Sequence, residues 1–274
     1  MPLLDLIQDS CDCPGDIHGD VLVARKARIY WGKSKSRRVM SAIATNLQAV
    51  RERIIRAAQV VGRVPETVTL LAVSKTKPAA DVLSATDAGQ FEFGENYAQE
   101  GVAKMQACSP NATGGGLVWH FIGPLQSNKT RLIAENYAWV HTIERLKIAE
   151  RLSGQRPANL PRLQVCVQVN VSGEASKSGC QPQDALELCR AIATLPGLQL
   201  RGLMTIPAVC DEAAGQRAPF RQLREIRDAI QAAGVPLDTL SMGMSHDLEA
   251  AIAEGATIVR VGTAIFGERI PAIV

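Results

Sequence analysis

The chain has 274 residues, 46% of them hydrophobic, which is ample for a buried core and excludes wholesale disorder. Its 30 basic and 27 acidic side chains leave a formal net charge of +3. Seven of the basic and five of the acidic ones fall in residues 1–39, so the rest is nearly neutral and a nucleic-acid footprint spread over the fold is excluded.

In chain order, residues 1–39 come first and look unlike the remainder of the chain. An acidic stretch (Asp5 to Asp20) passes into a basic one, Arg25–Arg28 and Lys33–Arg38, and neither repeats an apolar face. This reads as a mobile N-terminal extension ahead of a single domain over residues 40–274. The first charges are acidic and no apolar segment comes after them, which is not the pattern of a secretory leader. Seven cysteines, at 11, 13, 108, 166, 180, 189 and 210, form no repeating framework. Cys11 and Cys13 are too close for a zinc knuckle, so reduced thiols, no metal site and a cytoplasmic location are expected. No apolar run approaches the roughly 20 residues of a membrane span.

From Met40 the pattern becomes regular. Ile43, Leu47, Val50, Ile54 and Ile55 recur at helical spacing. Apolar segments of strand length then appear at Val68–Val73, Phe91–Phe93, Val118–Ile122, Trp139–Thr142, Leu163–Val171, Leu198–Met204, Thr239–Met242 and Thr257–Val261. Helical segments lie between them, at about 79–88, 96–107, 126–135, 145–153, 183–194, 216–233 and 247–253. Eight alternating units in about 200 residues predict a closed (β/α)8 TIM barrel with an extra N-terminal helix; an open doubly wound sheet is the alternative.

Such barrels carry their sites at the carboxyl ends of the strands. After strand one, Lys75 ends an apolar run, where low-dielectric walls disfavour its charge and free the amine as a nucleophile toward carbonyls. Lys77 would depress it further by like-charge repulsion. After strand two, Gly94 suits a tight turn, and Asn96 is a helix cap or a ligand contact, with capping favoured. His120 and His141 lie within strands and read as hydrogen-bonded core residues. Gln126, Ser127 and Asn128 bring polar groups to a helix start. The loops after strands seven and eight hold Ser241-Met-Gly-Met-Ser245 and Arg260-Val-Gly262-Thr263, the places where such barrels bind phosphate with backbone N–H groups, hydroxyls and a charge-assisted bond. An imine-forming lysine opposite a phosphate cradle fits pyridoxal 5′-phosphate and phosphorylated sugars alike.

Several segments are more specific. Ala72–Pro78 (AVSKTKP), Phe93–Tyr97 (FGENY), Trp119–Lys129 (WHFIGPLQSNK), Ser176–Gly179 (SKSG), Arg201–Met204 (RGLM), Ser241–Ser245 (SMGMS) and Val259–Gly267 (VRVGTAIFG) resemble the pyridoxal phosphate homeostasis proteins, the YggS/PROSC-like family, and above all its bacterial branch. The resemblance runs from about Met40 to Gly267. It implies a barrel like the N-terminal domain of alanine racemase, with pyridoxal 5′-phosphate on Lys75 as a Schiff base. It also implies a phosphate cradle of Ser245, Arg260, Gly262 and Thr263, with Asn96 beside the cofactor. The implied role is to carry and buffer the cofactor for apo-enzymes, without a catalysed reaction.

Two other classes share this chemistry. A racemase needs a second base across from the lysine, a tyrosine from a further C-terminal domain in the alanine racemases. Here the chain ends at Val274 and its tyrosines are Tyr30, Tyr97 and Tyr137, so a non-enzymatic, monomeric binding protein is favoured. A phosphosugar aldolase or isomerase needs a carboxylate or a second lysine for proton abstraction, and Glu95 is the strand-end candidate.

Overall fold

The structure, a computed structural model, describes residues 41–109, 116–174, 177–208, 210 and 212–268. The reading of residues 1–39 as an extension therefore lies outside the described residues, as do Cys11, Cys13, Tyr30 and Ser176.

The eight apolar segments pair in parallel, each with its sequence neighbour and the last with the first, closing a barrel in the order β1 to β8. The strands are β1 (Thr69–Val73), β2 (Glu92–Glu95), β3 (Val118–Phe121), β4 (Trp139–Ile143), β5 (Leu163–Gln168), β6 (Leu198–Met204), β7 (Thr239–Ser241) and β8 (Ile258–Val261). Around them run α1 (Ala42–Val60), α2 (Ala79–Asp87), α3 (Ala98–Cys108), α4 (Thr130–Asn136), α5 (Leu146–Gln155), α6 (Ala185–Ala193), α7 (Ala213–Ala232), α8 (Leu248–Ala253) and α9 (Thr263–Phe266). The expected TIM barrel is what the chain forms, and α1 is the extra N-terminal helix. Ser41 caps that helix by accepting the Ala44 amide at 3.1 Å. Its buried stripe is Leu47, Val50, Ile54 and Ala58, while Ile55 turns outward.

Alternation along each strand separates two environments. Outward residues such as Phe93, Val140, Val165, Leu203, Leu240 and Val259 join the helices in one large apolar layer. Inside the barrel, the apolar cluster is small: Leu71, Val73, Ile122 and Ile258, with Trp139 packed against them. Much of the remaining interior is polar.

Two local expectations change. The second strand runs over 92–95 instead of 91–93, and Gly94 is part of its ladder, paired with Val73 and His120. A Cβ at Gly94 would stand 3.1 Å from Ile122 and 3.3 Å from Leu71. The glycine thus serves close packing inside the barrel, and no turn is formed there. The fifth strand stops at Gln168, where its pairing with β6 ends at Met204.

Candidate functional site

Lys75 stands two residues beyond β1, half-buried, on a peptide held from several sides. The fully buried Ser74 donates its hydroxyl to Glu95 Oε1 at 2.6 Å, and its carbonyl accepts from Lys104 Nζ at 2.7 Å. The Thr76 amide donates to Glu100 Oε1 at 2.6 Å, and Thr76 takes the left-handed conformation, φ 64°, which non-glycine residues seldom adopt. Lys104 also binds Glu95 Oε1 at 2.7 Å and Glu100 Oε1 at 3.1 Å. This buried acid–base cluster, built by the end of β2 and the first turns of α3, clamps the backbone that presents Lys75. Burial raises the Glu95 carboxyl above its ordinary value, although Lys104 and Ser74 pull it down.

Sequence reasoning missed Glu100 and Lys104. Their spacing of four on a helix is a signal, but it also describes any solvated helix pair. Glu95 is committed to this cluster between β2 and α3, so it is not placed for proton abstraction beyond the strand ends. Lys77 likewise departs from expectation. Its Nζ donates to the carbonyls of Phe266 at 2.9 Å and Glu268 at 2.8 Å, which ties it to the end of α9.

Lys75, Asn96, Ser245, Arg260, Gly262 and Thr263 all line one cavity of about 270 Å³, together with Val73, Ile122, Ile206, Met244 and His246. The structure thus brings all six predicted site residues together at the carboxyl ends of β1, β2, β7 and β8. Gln126, Ser127 and Asn128 lie apart, exposed in the turn ahead of α4. Asn96 does not cap α3, whose cap position is Tyr97. Among the described residues, the buried Asn96 Oδ1 has no hydrogen-bond partner, an acceptor left for a ligand donor. Gly123 lets this loop sit close, because a Cβ there would collide with the Asn96 backbone carbonyl.

Beyond β7 and β8, the latter paired with β1, Ser245 and Thr263 offer hydroxyls, and the start of α9 at Gly262–Thr263 offers amides that lack intrahelical acceptors. Helix α1 braces both loops. Arg53 Nη2 donates to the Ser245 carbonyl at 3.1 Å, and Asn46 Nδ2 to the Ile265 carbonyl at 2.9 Å. Arg260 is buried, with Nη1 on the Ser241 carbonyl at 2.6 Å and hydroxyl at 2.8 Å, and Nη2 on the Thr205 carbonyl at 2.8 Å. Desolvation lowers its pKa to about 10, so it remains a cation at neutral pH. Of the described tyrosines, Tyr137 is buried with its hydroxyl on the Ala98 carbonyl and Tyr97 is exposed; neither lines the cavity.

The alanine racemase N-terminal domain model matches residues 41–270. The pyridoxal phosphate homeostasis protein of Pseudomonas aeruginosa is 60% identical over 230 residues, 84% of this chain and 97% of that protein. Its counterpart in Escherichia coli K12 is 55% identical over 230 residues, with 84% and 98% covered. The structure of PipY from Synechococcus elongatus PCC7942 with PLP bound superposes with a TM-score of 0.72 at 36% identity, covering 82% of this chain and 100% of that one. The chain therefore belongs to the alanine racemase N-terminal domain family, and within it to the pyridoxal phosphate homeostasis proteins.

Proposed function

We propose that this protein binds pyridoxal 5′-phosphate in the Lys75 cavity, holds it as a Schiff base on Lys75, and serves to carry and buffer it. One observation carries this reading. A half-buried lysine and a hydroxyl-and-amide cradle for an anion line one cavity whose walls also include the apolar Val73, Ile122, Ile206 and Met244. Those parts match an aldehyde, a phosphate and a flat ring. The unpartnered Asn96 Oδ1 matches a ring hydroxyl or protonated ring nitrogen as donor. The PLP-bound PipY structure supports the same ligand.

When bound, the cofactor supplies an aldehyde carbon that condenses with the Lys75 amine, releasing water. The chain's own part is to present that amine on the clamped Ser74–Thr76 peptide, to donate hydrogen bonds to the phosphate from Ser245, Gly262 and Thr263, and to keep a buried cation, Arg260, at the cavity wall. Borohydride treatment followed by peptide mapping should place a pyridoxyl group on Lys75, and Lys75→Ala should lose the visible band while retaining weaker phosphate-dependent binding. A pyridoxyl group found on Lys77 would overturn the assignment.

A carrier role without efficient catalysis is supported by the cavity lining. Among the described residues, His246 is the one titratable side chain lining the cavity besides Lys75 and Arg260, and no described tyrosine lines it. Racemase chemistry would instead incorporate solvent deuterium at the α-carbon of an amino acid with turnover, and its absence is expected. Among the described residues, no helix is long and apolar enough to cross a membrane. Apo-enzymes that use the cofactor are the proposed recipients. Holo-protein should activate one faster than release of free cofactor allows.

A further inference from the structure

Five polar side chains inside the barrel form a continuous chain from its amino end to the cavity. Glu92, the first residue of β2, has a side chain 36% exposed, and its Oε2 lies 2.6 Å from His120 Nε2. His120 Nδ1 lies 2.9 Å from His141 Nε2, and His141 Nδ1 lies 2.8 Å from Ser241 Oγ. Ser241 Oγ accepts from Arg260 Nη1 at 2.8 Å. Both histidines are buried. Five strands, β2, β3, β4, β7 and β8, each contribute one inward side chain.

The two ends of this chain have fixed character. A guanidinium only donates and a carboxylate only accepts. Ser241, already accepting from Arg260, has its proton left for His141 Nδ1. His141 is held neutral by burial, with the nearby His120 and Arg260 adding to the effect. Its single ring proton then sits on Nε2 and points at His120 Nδ1, and the proton of His120 sits on Nε2 and points at Glu92. Every donor meets one acceptor, in one direction, from Arg260 to Glu92. The His120 ring plane is locked by stacking on Trp139, at 5.3 Å between centroids and 7° between planes. Trp139 in turn lies under the Arg201 guanidinium, 5.0 Å from its centroid.

We propose that Glu92, His120, His141 and Ser241 are positioning residues that orient Arg260 and link its charge to a carboxylate at the far end of the barrel. The tautomer assignment is independent of any ligand. The consequence for the cofactor rests on the proposed binding of pyridoxal phosphate in the Lys75 cavity. Buried, consistently oriented hydrogen bonds in a low-dielectric interior reinforce one another, so the state of Glu92 should be felt at the cavity wall.

Long-range ¹H–¹⁵N spectra of ¹⁵N-histidine-labelled apo-protein test the chain directly. Both His120 and His141 should appear as neutral rings protonated at Nε2. A His141 proton on Nδ1, or a doubly protonated His120, would overturn the proposed direction. In Glu92→Ala, whose side chain reaches solvent, the His120 Nε2 resonance should shift, the visible band of the borohydride-sensitive complex should move, and pyridoxal phosphate affinity should fall about fivefold. Glu92→Asp should recover part of that loss. Unchanged spectrum and affinity in Glu92→Ala would sink the link to the cavity. Absence of any lysine-bound cofactor in the wild type would instead count against the cavity reading and leave the tautomers to be read on their own.

Discussion

At the scale of single residues, the site depends on groups that never touch the cavity. Lys104 is the clearest case, since it is the cation that compensates the fully buried Glu95 and grips the Ser74 carbonyl. Lys104→Met strands a buried carboxylate and is expected to destabilise the protein by about 3 kcal/mol. The double variant with Glu95→Gln should recover part of that, as read by urea unfolding. Gly123→Ala would drive a methyl into the Asn96 backbone, and a loss of about 2 kcal/mol with weakened cofactor binding is expected. The lysine, the hydroxyls and Asn96 were legible in the sequence because each lies next to a strand end. The clamp and the proton chain were not, because their members come together only across strands and helices.

At the scale of elements, α1 is the part that a plain eightfold barrel lacks, and it is joined to both loops of the cradle. Arg53→Ala removes the hydrogen bond to the Ser245 carbonyl and the ion pair with Glu249. A cost of about 1 kcal/mol at the loop corresponds to roughly fivefold weaker cofactor binding, measurable by equilibrium titration. Helices α7 and α8 are tied differently. Arg217, Arg221 and Arg224 converge on the buried Glu254 just past α8. Desolvation pushes that carboxyl up, but the hydrogen bonds from Arg217 and Arg221 and the charges of Arg217 and Arg224 outweigh it and hold it below its ordinary value of 4.5. A carboxyl held lower in the folded state contributes stability in full above its unfolded value and loses it as pH falls through the folded one. Stability should therefore drop as pH falls below about 4.5 more steeply in the wild type than in Glu254→Gln, which lacks this titration.

At the scale of the whole molecule, the two environments divide the work. The layer between strands and helices is aliphatic and holds the fold together. The barrel interior is largely given over to hydrogen-bonded polar groups that end at the cavity, where TIM barrels are usually filled with branched aliphatic side chains. Among the described residues, those lining the cavity fall between Val73 and Thr263, and a chain beginning at Met40 is expected to load pyridoxal phosphate to the same extent as the full-length chain. Sedimentation should report a monomer whose cofactor loading does not change with protein concentration.

The amino-acid sequence alone determined the barrel, because alternating apolar strands and amphipathic helices leave few ways to bury eight such units. It also determined the strand-end residues around the cavity, because a closed barrel gathers strand ends in one place whatever the detailed packing. Tertiary structure decided the rest. Which strand face each residue shows, and so whether Glu95 faces the site or α3 and whether His120 and His141 meet, depends on strand boundaries and register, and β2 starts at Glu92 and runs on to Glu95, past the end of its apolar segment. Lys77 is a similar case, since its partners lie about 190 residues along the chain and no local pattern records them. A hydrogen bond between distant residues is fixed by where the backbone places its two ends, and that placement exists only once the barrel has closed.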